Sequence, residues 1–253
     1  MFTTVSIITA SALAVLGFLL GPLSCRLLNK IPAKWLCDYD EEPSEELLSG
    51  NRFKIKPTGF IAGAIIAAAL AGTTLFTGVT PELIFYVILY SLLLLISESD
   101  AKYTIIPDQF TIAVAVVSLI FAVTDYFTDK NFISSWYDPL LGAASGFAIL
   151  VVLDLFSTLV FKKTGFGFGD IKLMAAVGLM FGLKYVLIVL MFSAFVSAFH
   201  FLYLIFSGKG KNGIYLPMGP YICIAIVLTI MLRVKIEPIF SMYKMLMDME
   251  ALP

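Results

Sequence analysis

The strongest constraint on this chain is its set of long runs that carry almost no charge. A helix in lipid satisfies its own backbone and needs about 20 apolar residues to cross about 30 Å of hydrocarbon. Runs near 5–24, 58–78, 83–97, 109–128, 139–161, 184–206 and 217–232 have this character, the fifth interrupted by Asp154. An eighth, Ile171 to Gly182, has only twelve residues, about 18 Å of helix, too short to span fully by itself. With 60% hydrophobic and 14% charged residues, against about 25% charged in a soluble domain, the chain reads as an all-α polytopic integral membrane protein of about eight transmembrane helices. The expected layout is a first helix (1–24), a loop (25–57), a helical body (58–232) and a tail (233–253). That tail, with Phe240, Met242, Tyr243, Met245, Leu246 and Met247, suits an amphipathic helix at the outer interface.

Seventeen Lys and Arg against eighteen Asp and Glu leave a net charge of -1, so no basic field points to nucleic acid. Sorted by alternate sides of the spans, twelve basic residues fall with the 25–57 loop and five (Lys130, Lys184, Arg233, Lys235, Lys244) on the other side. That bias predicts a cytoplasmic loop and outward termini. The first run has no Lys or Arg before it and six soon after, the reverse of a signal peptide, so it is expected to stay as a helix. The loop has a basic start, an acidic middle (Asp38, Asp40, Glu41, Glu42, Glu45, Glu46) and a basic return, and reads as a solvated loop with a short Ser-Glu-Glu-Leu-Leu helix. Cys25, Cys37 and Cys223 form no C-x-x-C pair, so neither a disulfide framework nor a thiolate zinc site is expected. His200 stands alone in an apolar run and reads as a packed or hydrogen-bonded core histidine.

Acids beside hydrocarbon are costly and therefore informative. Asp100 closes the third run in Ile96-Ser97-Glu98-Ser99-Asp100, and Asp108 follows Pro107 where it can cap the next helix. Seventy residues on, Gly165-Phe166-Gly167-Phe168-Gly169-Asp170-Ile171-Lys172 places alternating glycines before a carboxylate that opens the short run. A phosphate cradle lacks its G-K-[ST] ending here; a turn with Asp170 as helix cap remains open. On the predicted topology Asp100 and Asp170 lie at the same boundary. Two close carboxylates do not both ionise easily and share a proton, so one can take a proton from water while the other donates. That is sufficient apparatus for peptide hydrolysis without Ser, Cys, His or metal. Asp154, about 12 Å inside its helix, is expected to bond a neighbouring helix's Ser or Thr, or to line a water-filled path.

Gly167-Phe168-Gly169-Asp170-Ile171-Lys172-Leu173 resembles the GxGD segment of the type IV prepilin peptidases. Asp100-Ala-Lys-Tyr-Thr-Ile-Ile106-Pro107-Asp108 resembles their first-aspartate segment, and Leu216-Pro217-Met218-Gly219-Pro220 their late P-x-G-P segment. The resemblance implies an aspartic endopeptidase that cuts the basic leader from type IV prepilins or pseudopilins at the cytoplasmic face of the inner membrane. Asp100 and Asp170 would be the catalytic pair, supported by Gly167, Gly169, Lys172 and Pro107, and the substrate's stalk would be recognised within the lipid bilayer. Presenilin-like enzymes share the GxGD element but set their first aspartate in a Y-D motif, whereas Ser99 precedes Asp100. Many family members also methylate the new N-terminus with S-adenosylmethionine and carry paired C-x-x-C motifs. Those motifs are missing, which puts methyl transfer in doubt, so the cofactor is expected only if that activity is retained. The loop's acidic middle is a candidate attractor for the basic leader. The competing reading is a polytopic transporter using intramembrane acids, Asp154 above all, as a proton relay.

Overall fold

Each apolar run forms a helix, as a chain whose backbone has no water to bond must. The computed structural model describes residues 3–37, 42–128, 132–162, 164–208 and 216–250. In order these are α1 (Thr4–Lys30), a 3-10 turn (Ala33–Leu36), α2 (Glu45–Leu48), an irregular turn (Ile55–Gly59), α3 (Phe60–Thr77), α4 (Leu83–Tyr103), α5 (Asp108–Phe127), α6 (Asp138–Phe161), α7 (Phe168–Phe206) and α8 (Gly219–Glu250). Seven helices among the described residues are long and apolar enough to cross a membrane. Their outer faces expose Ile8, Leu19, Ile61, Ile84, Ile112, Leu155, Leu159 and Phe199. Water does not tolerate so continuous an apolar surface, and lipid does. The protein is an all-helical, multi-pass membrane protein.

The sixth and seventh runs join in α7, which is a helical hairpin. Gly182 has φ 64° and ψ -177°, a left-handed conformation open chiefly to glycine. Gly146 on α6 lies against Met174, eight residues before Gly182, and against Val186, four after it. In one straight helix these two would be about 18 Å apart, so the chain doubles back and both arms (168–181 and 183–206) lie along α6. Asp138 holds the bend, its Oδ1 accepting the Leu183 N–H at 3.0 Å. The short run therefore returns to its starting side as one arm of a pair.

α4 meets α1, α3, α5 and α8, while α7 meets α5, α6 and α8. Tyr86, Tyr90 and Leu93 of α4 pack into one core with Met174, Val177 and Phe181 of α7 and Ile222, Ile226 and Ile230 of α8. α4 and α7 are thus held together through α5 and α8, which touch both. At one end of the bundle Asp125 Oδ2 accepts the N–H groups of Phe132 and Ile133 (3.0 and 2.9 Å), and Lys184 pairs with Glu237 at 2.7 Å. Asp100, Asp108, Asp170 and Lys172 gather at the other.

The 25–57 loop is packed where a solvated loop was expected. Leu36, Leu47 and Phe53 join Cys25 and Leu28 in a second small core. Asn29 exchanges hydrogen bonds with Phe53 (2.9 and 2.7 Å) and Arg52 donates to the Ile31 carbonyl at 2.8 Å. The short helix expected at Ser44 is present, its Ser44 hydroxyl accepting the Leu47 N–H. Glu46 pairs with Lys102 at 2.7 Å, and this hydrogen bond and charge hold the Glu46 carboxyl below its ordinary range. Asp38, Asp40 and Glu41 of the acidic middle lie outside the described residues, as do Lys130, Lys163, Lys209 and Lys211 and the side chains of Phe240, Tyr243, Lys244, Met245, Leu246 and Met247.

Candidate active site

Asp100 sits in the last turn of α4, which stops at Thr104 in a left-handed conformation (φ 56°). The chain then runs extended through Ile105 and Ile106 to Pro107, which caps α5. Asp100 is 5% exposed. Its Oδ2 accepts the N–H of Gly219 at 2.8 Å, the first residue of α8, so a helix N-terminus is aimed at the carboxylate. The Pro217-Met218-Gly219-Pro220 segment thereby has a physical role. A β-carbon on Gly219 would lie 2.6 Å from that oxygen, which leaves room only for glycine.

Asp170 is the third residue of α7 and is 4% exposed. It does not occupy the cap itself. That position is Gly167, and Asp170 Oδ2 reaches back to accept the Gly167 N–H at 3.2 Å, as an acid at N3 does in a capping box. Its Oδ1 is buried with no hydrogen-bond partner among the described residues. Gly169 brings the turn against Ile106, whose Cβ would lie 3.0 Å from an added β-carbon.

Asp100 and Asp170 stand in the walls of one cleft of about 770 Å³. Pro32, Lys34, Trp35 and Cys37 bring the first loop into the same wall, and Ile105, Ile106, Pro107 and Phe168 supply apolar surface. Asp108 departs from the cap expected for it. It is the first helical residue of α5, and both its oxygens accept the Lys172 ammonium (2.8 and 3.0 Å). Lys172 also stands 4.6 Å over the Phe168 ring, so it clamps the mouth of the cleft between α5 and α7.

Three side chains found partners that only the structure names. Among the described residues Asp154 bonds no Ser or Thr of a neighbouring helix; its Oδ1 accepts the backbone N–H groups of Gly165 and Phe166 at 2.8 and 3.0 Å. Glu98, half-buried two residues before Asp100, accepts the Ser24 hydroxyl at 2.8 Å and so ties α4 to α1. His200 meets the Tyr221 hydroxyl, as a hydrogen-bonded histidine should, but on an exposed face. A charged residue in an apolar run was the available signal for the first two. Their partners are separated from them by loop geometry that no periodicity encodes.

Known proteins resemble this chain in sequence. A prepilin leader peptidase/N-methyltransferase of Bacillus subtilis is 29% identical over 161 residues, 64% of this chain and 60% of that protein. Proteins of the same name from Aeromonas hydrophila (32% over 126 residues, 50% of this chain and 41% of that one) and Xanthomonas campestris (31% over 140 residues, 55% and 46%) are similar. The chain therefore spans less than two thirds of the length of these relatives. No solved structure matches it. Residues 87–202, which hold Asp100, Asp108, Asp170, α6 and most of α7, match the type IV leader peptidase family, so the chain is similar to that family through this segment.

Proposed function

We propose that this protein is a membrane aspartic endopeptidase that removes the leader from type IV prepilins or pseudopilins at the cytoplasmic face, with Asp100 and Asp170 as its catalytic pair. The observation that carries the reading is the shared cleft. Two buried carboxylates from α4 and α7 line it together, each with one oxygen fixed by a backbone N–H. With one proton between them, the ionised carboxylate takes a proton from water as the water attacks the peptide carbonyl. The protonated partner hydrogen-bonds the carbonyl oxygen and then gives its proton to the leaving amine. The cleft volume is that of an ordinary ligand site and admits a few residues of extended peptide. The apolar wall suits the start of a hydrophobic stalk, and the charged mouth at Lys34, Asp108 and Lys172 suits a polar leader.

The relatives' names also include methyl transfer, for which S-adenosylmethionine would be the cofactor. The cleft's charged groups are three carboxylates and the amines of Lys34 and Lys172, with Cys37, Thr104 and Gln109 beside them; this set suits proton transfer to a peptide and does not single out a nucleoside site. Attraction of the leader to the acidic loop is narrowed, because Glu46 is already engaged by Lys102. The transport reading loses its best support, because Asp154 holds a loop.

The test is co-expression with a tagged type IV prepilin in a host without its own peptidase. Wild-type protein is expected to shift the substrate on a gel and leave a new N-terminus, while Asp100→Asn and Asp170→Asn, present in the membrane at equal amounts, do neither. Cleavage by both variants would overturn the assignment of the pair.

A further inference from the structure

One acid that the proposed chemistry does not use is Asp154. It lies eight residues before Lys162, the C-cap of α6, about 12 Å down the helix, where a carboxylate is costly. Two backbone donors converge on one of its oxygens, Oδ1: the N–H of Gly165 at 2.8 Å and that of Phe166 at 3.0 Å. To reach it the chain leaving α6 folds back along the helix. Gly165 consequently lies flat on Ser157, one turn from Asp154, and an added β-carbon there would meet the Ser157 Cβ and Oγ at 2.8 Å. Non-helical backbone at this depth has no water for its N–H groups, and Asp154 supplies the acceptor.

We propose that Asp154 is a positioning residue that latches the Gly165–Phe166 backbone onto α6 and so sets where Asp170 stands relative to Asp100. The linkage is short. Phe166 is followed directly by Gly167, which caps α7 and donates its N–H to Asp170 Oδ2. A loop released at 165–166 frees that N–H and the first turn of α7 together. Because both bonds end on a single oxygen, the latch needs a carbonyl-type acceptor and not a negative charge. Asn at this position can provide it, and Ala cannot.

The kinetic consequence rests on the peptidase reading; the latch itself is read without any substrate. The experiment uses the full chain in lipid nanodiscs: wild type, Asp154→Ala and Asp154→Asn, with Asp100→Asn as the inactive reference. In Asp154→Ala, amide exchange at 164–168 is expected to speed up, and kcat on a tagged prepilin to fall about 10- to 100-fold, the scale of a displacement near 1 Å. KM should stay within about twofold, since substrate contacts remain. Asp154→Asn restores both readouts, which a bare folding defect or a lost charge would not allow. Unchanged exchange in Asp154→Ala, an unchanged kcat, or an Asn variant as impaired as the Ala variant would each overturn the latch. If Asp154→Ala does not accumulate, Gly165→Ala probes the same contact: it should loosen the loop, and Ser157→Gly beside it should restore protection, whereas full protection in Gly165→Ala alone overturns the proposal. Should wild type cut no prepilin while the exchange results hold, the peptidase reading fails and the latch stands.

Discussion

Gly219→Ala separates activity from stability. Gly219 does not have a left-handed backbone, so alanine is conformationally acceptable there and the cost of the substitution lies in its contacts. The new methyl, however, would sit 2.6 Å from Asp100 Oδ2 and 3.0 Å from its Cγ, where ordinary contact begins at 3.4 Å. Asp100 is rooted in α4 and has to yield by about 0.8 Å, or else α8 has to retreat and loosen the 2.8 Å Gly219 bond. A misplacement of that order costs up to about 100-fold in rate, equivalent to about 2.7 kcal/mol in the barrier. The assay is single-turnover prepilin cleavage beside thermal unfolding in the same detergent. Gly50→Ala, which has open space around it, serves as the control. A Gly219→Ala enzyme with wild-type kcat would refute the claim that the α8 N-terminus sets the position of Asp100.

The hairpin and the loop give two further expectations. Gly182→Ala forces alanine into a backbone region (φ 64°, ψ -177°) that is essentially glycine's, costing about 1–3 kcal/mol, and brings its methyl to 2.8 Å from the Asp138 carboxylate; the unfolding temperature should drop, and a variant as stable as wild type would show that α7 does not reverse there. For the loop, the Lys102 ammonium depresses the Glu46 carboxyl. The pairing therefore contributes fully above the ordinary glutamate value of 4.5 and fades as pH falls through the lower folded value. Limited proteolysis of 42–50 should be constant from neutral pH down to about pH 5 and rise in more acid solution, and Glu46→Gln should show at neutral pH what wild type shows in acid. Equal resistance of Glu46→Gln and wild type at neutral pH would mean that this exposed pair anchors nothing, the usual fate of a surface salt bridge.

The spans were legible because lipid imposes a rule that sequence obeys locally: a segment without water must be apolar and helical over its whole length. For the same reason the boundary acids Asp100 and Asp170 stood out, since a carboxylate beside hydrocarbon has few local excuses. The short run 171–182 was readable as too short to cross alone. That it is one arm of a hairpin followed from the Gly182 backbone and its seat against Asp138, which lies forty-four positions earlier in the chain.

Partnership was the part that local pattern could not supply. Asp108 read as a helix cap because capping is decided within one turn, but its oxygens went to Lys172, sixty-four residues away. Asp154 read as a partner for a neighbouring helix's Ser or Thr or as the lining of a water-filled path, but a loop that folds back eleven and twelve residues later claimed it. The chain by itself determined that this is a multi-pass helical protein with two acids and a glycine-rich turn at its helix ends, because burial in lipid filters residue by residue. Only the tertiary structure decided which acids share a cleft, which hold backbone and which pair with lysine, because a carboxylate's role is set by the donors that reach it within about 3 Å, and those are brought there by the packing of α5 and α8 between α4 and α7.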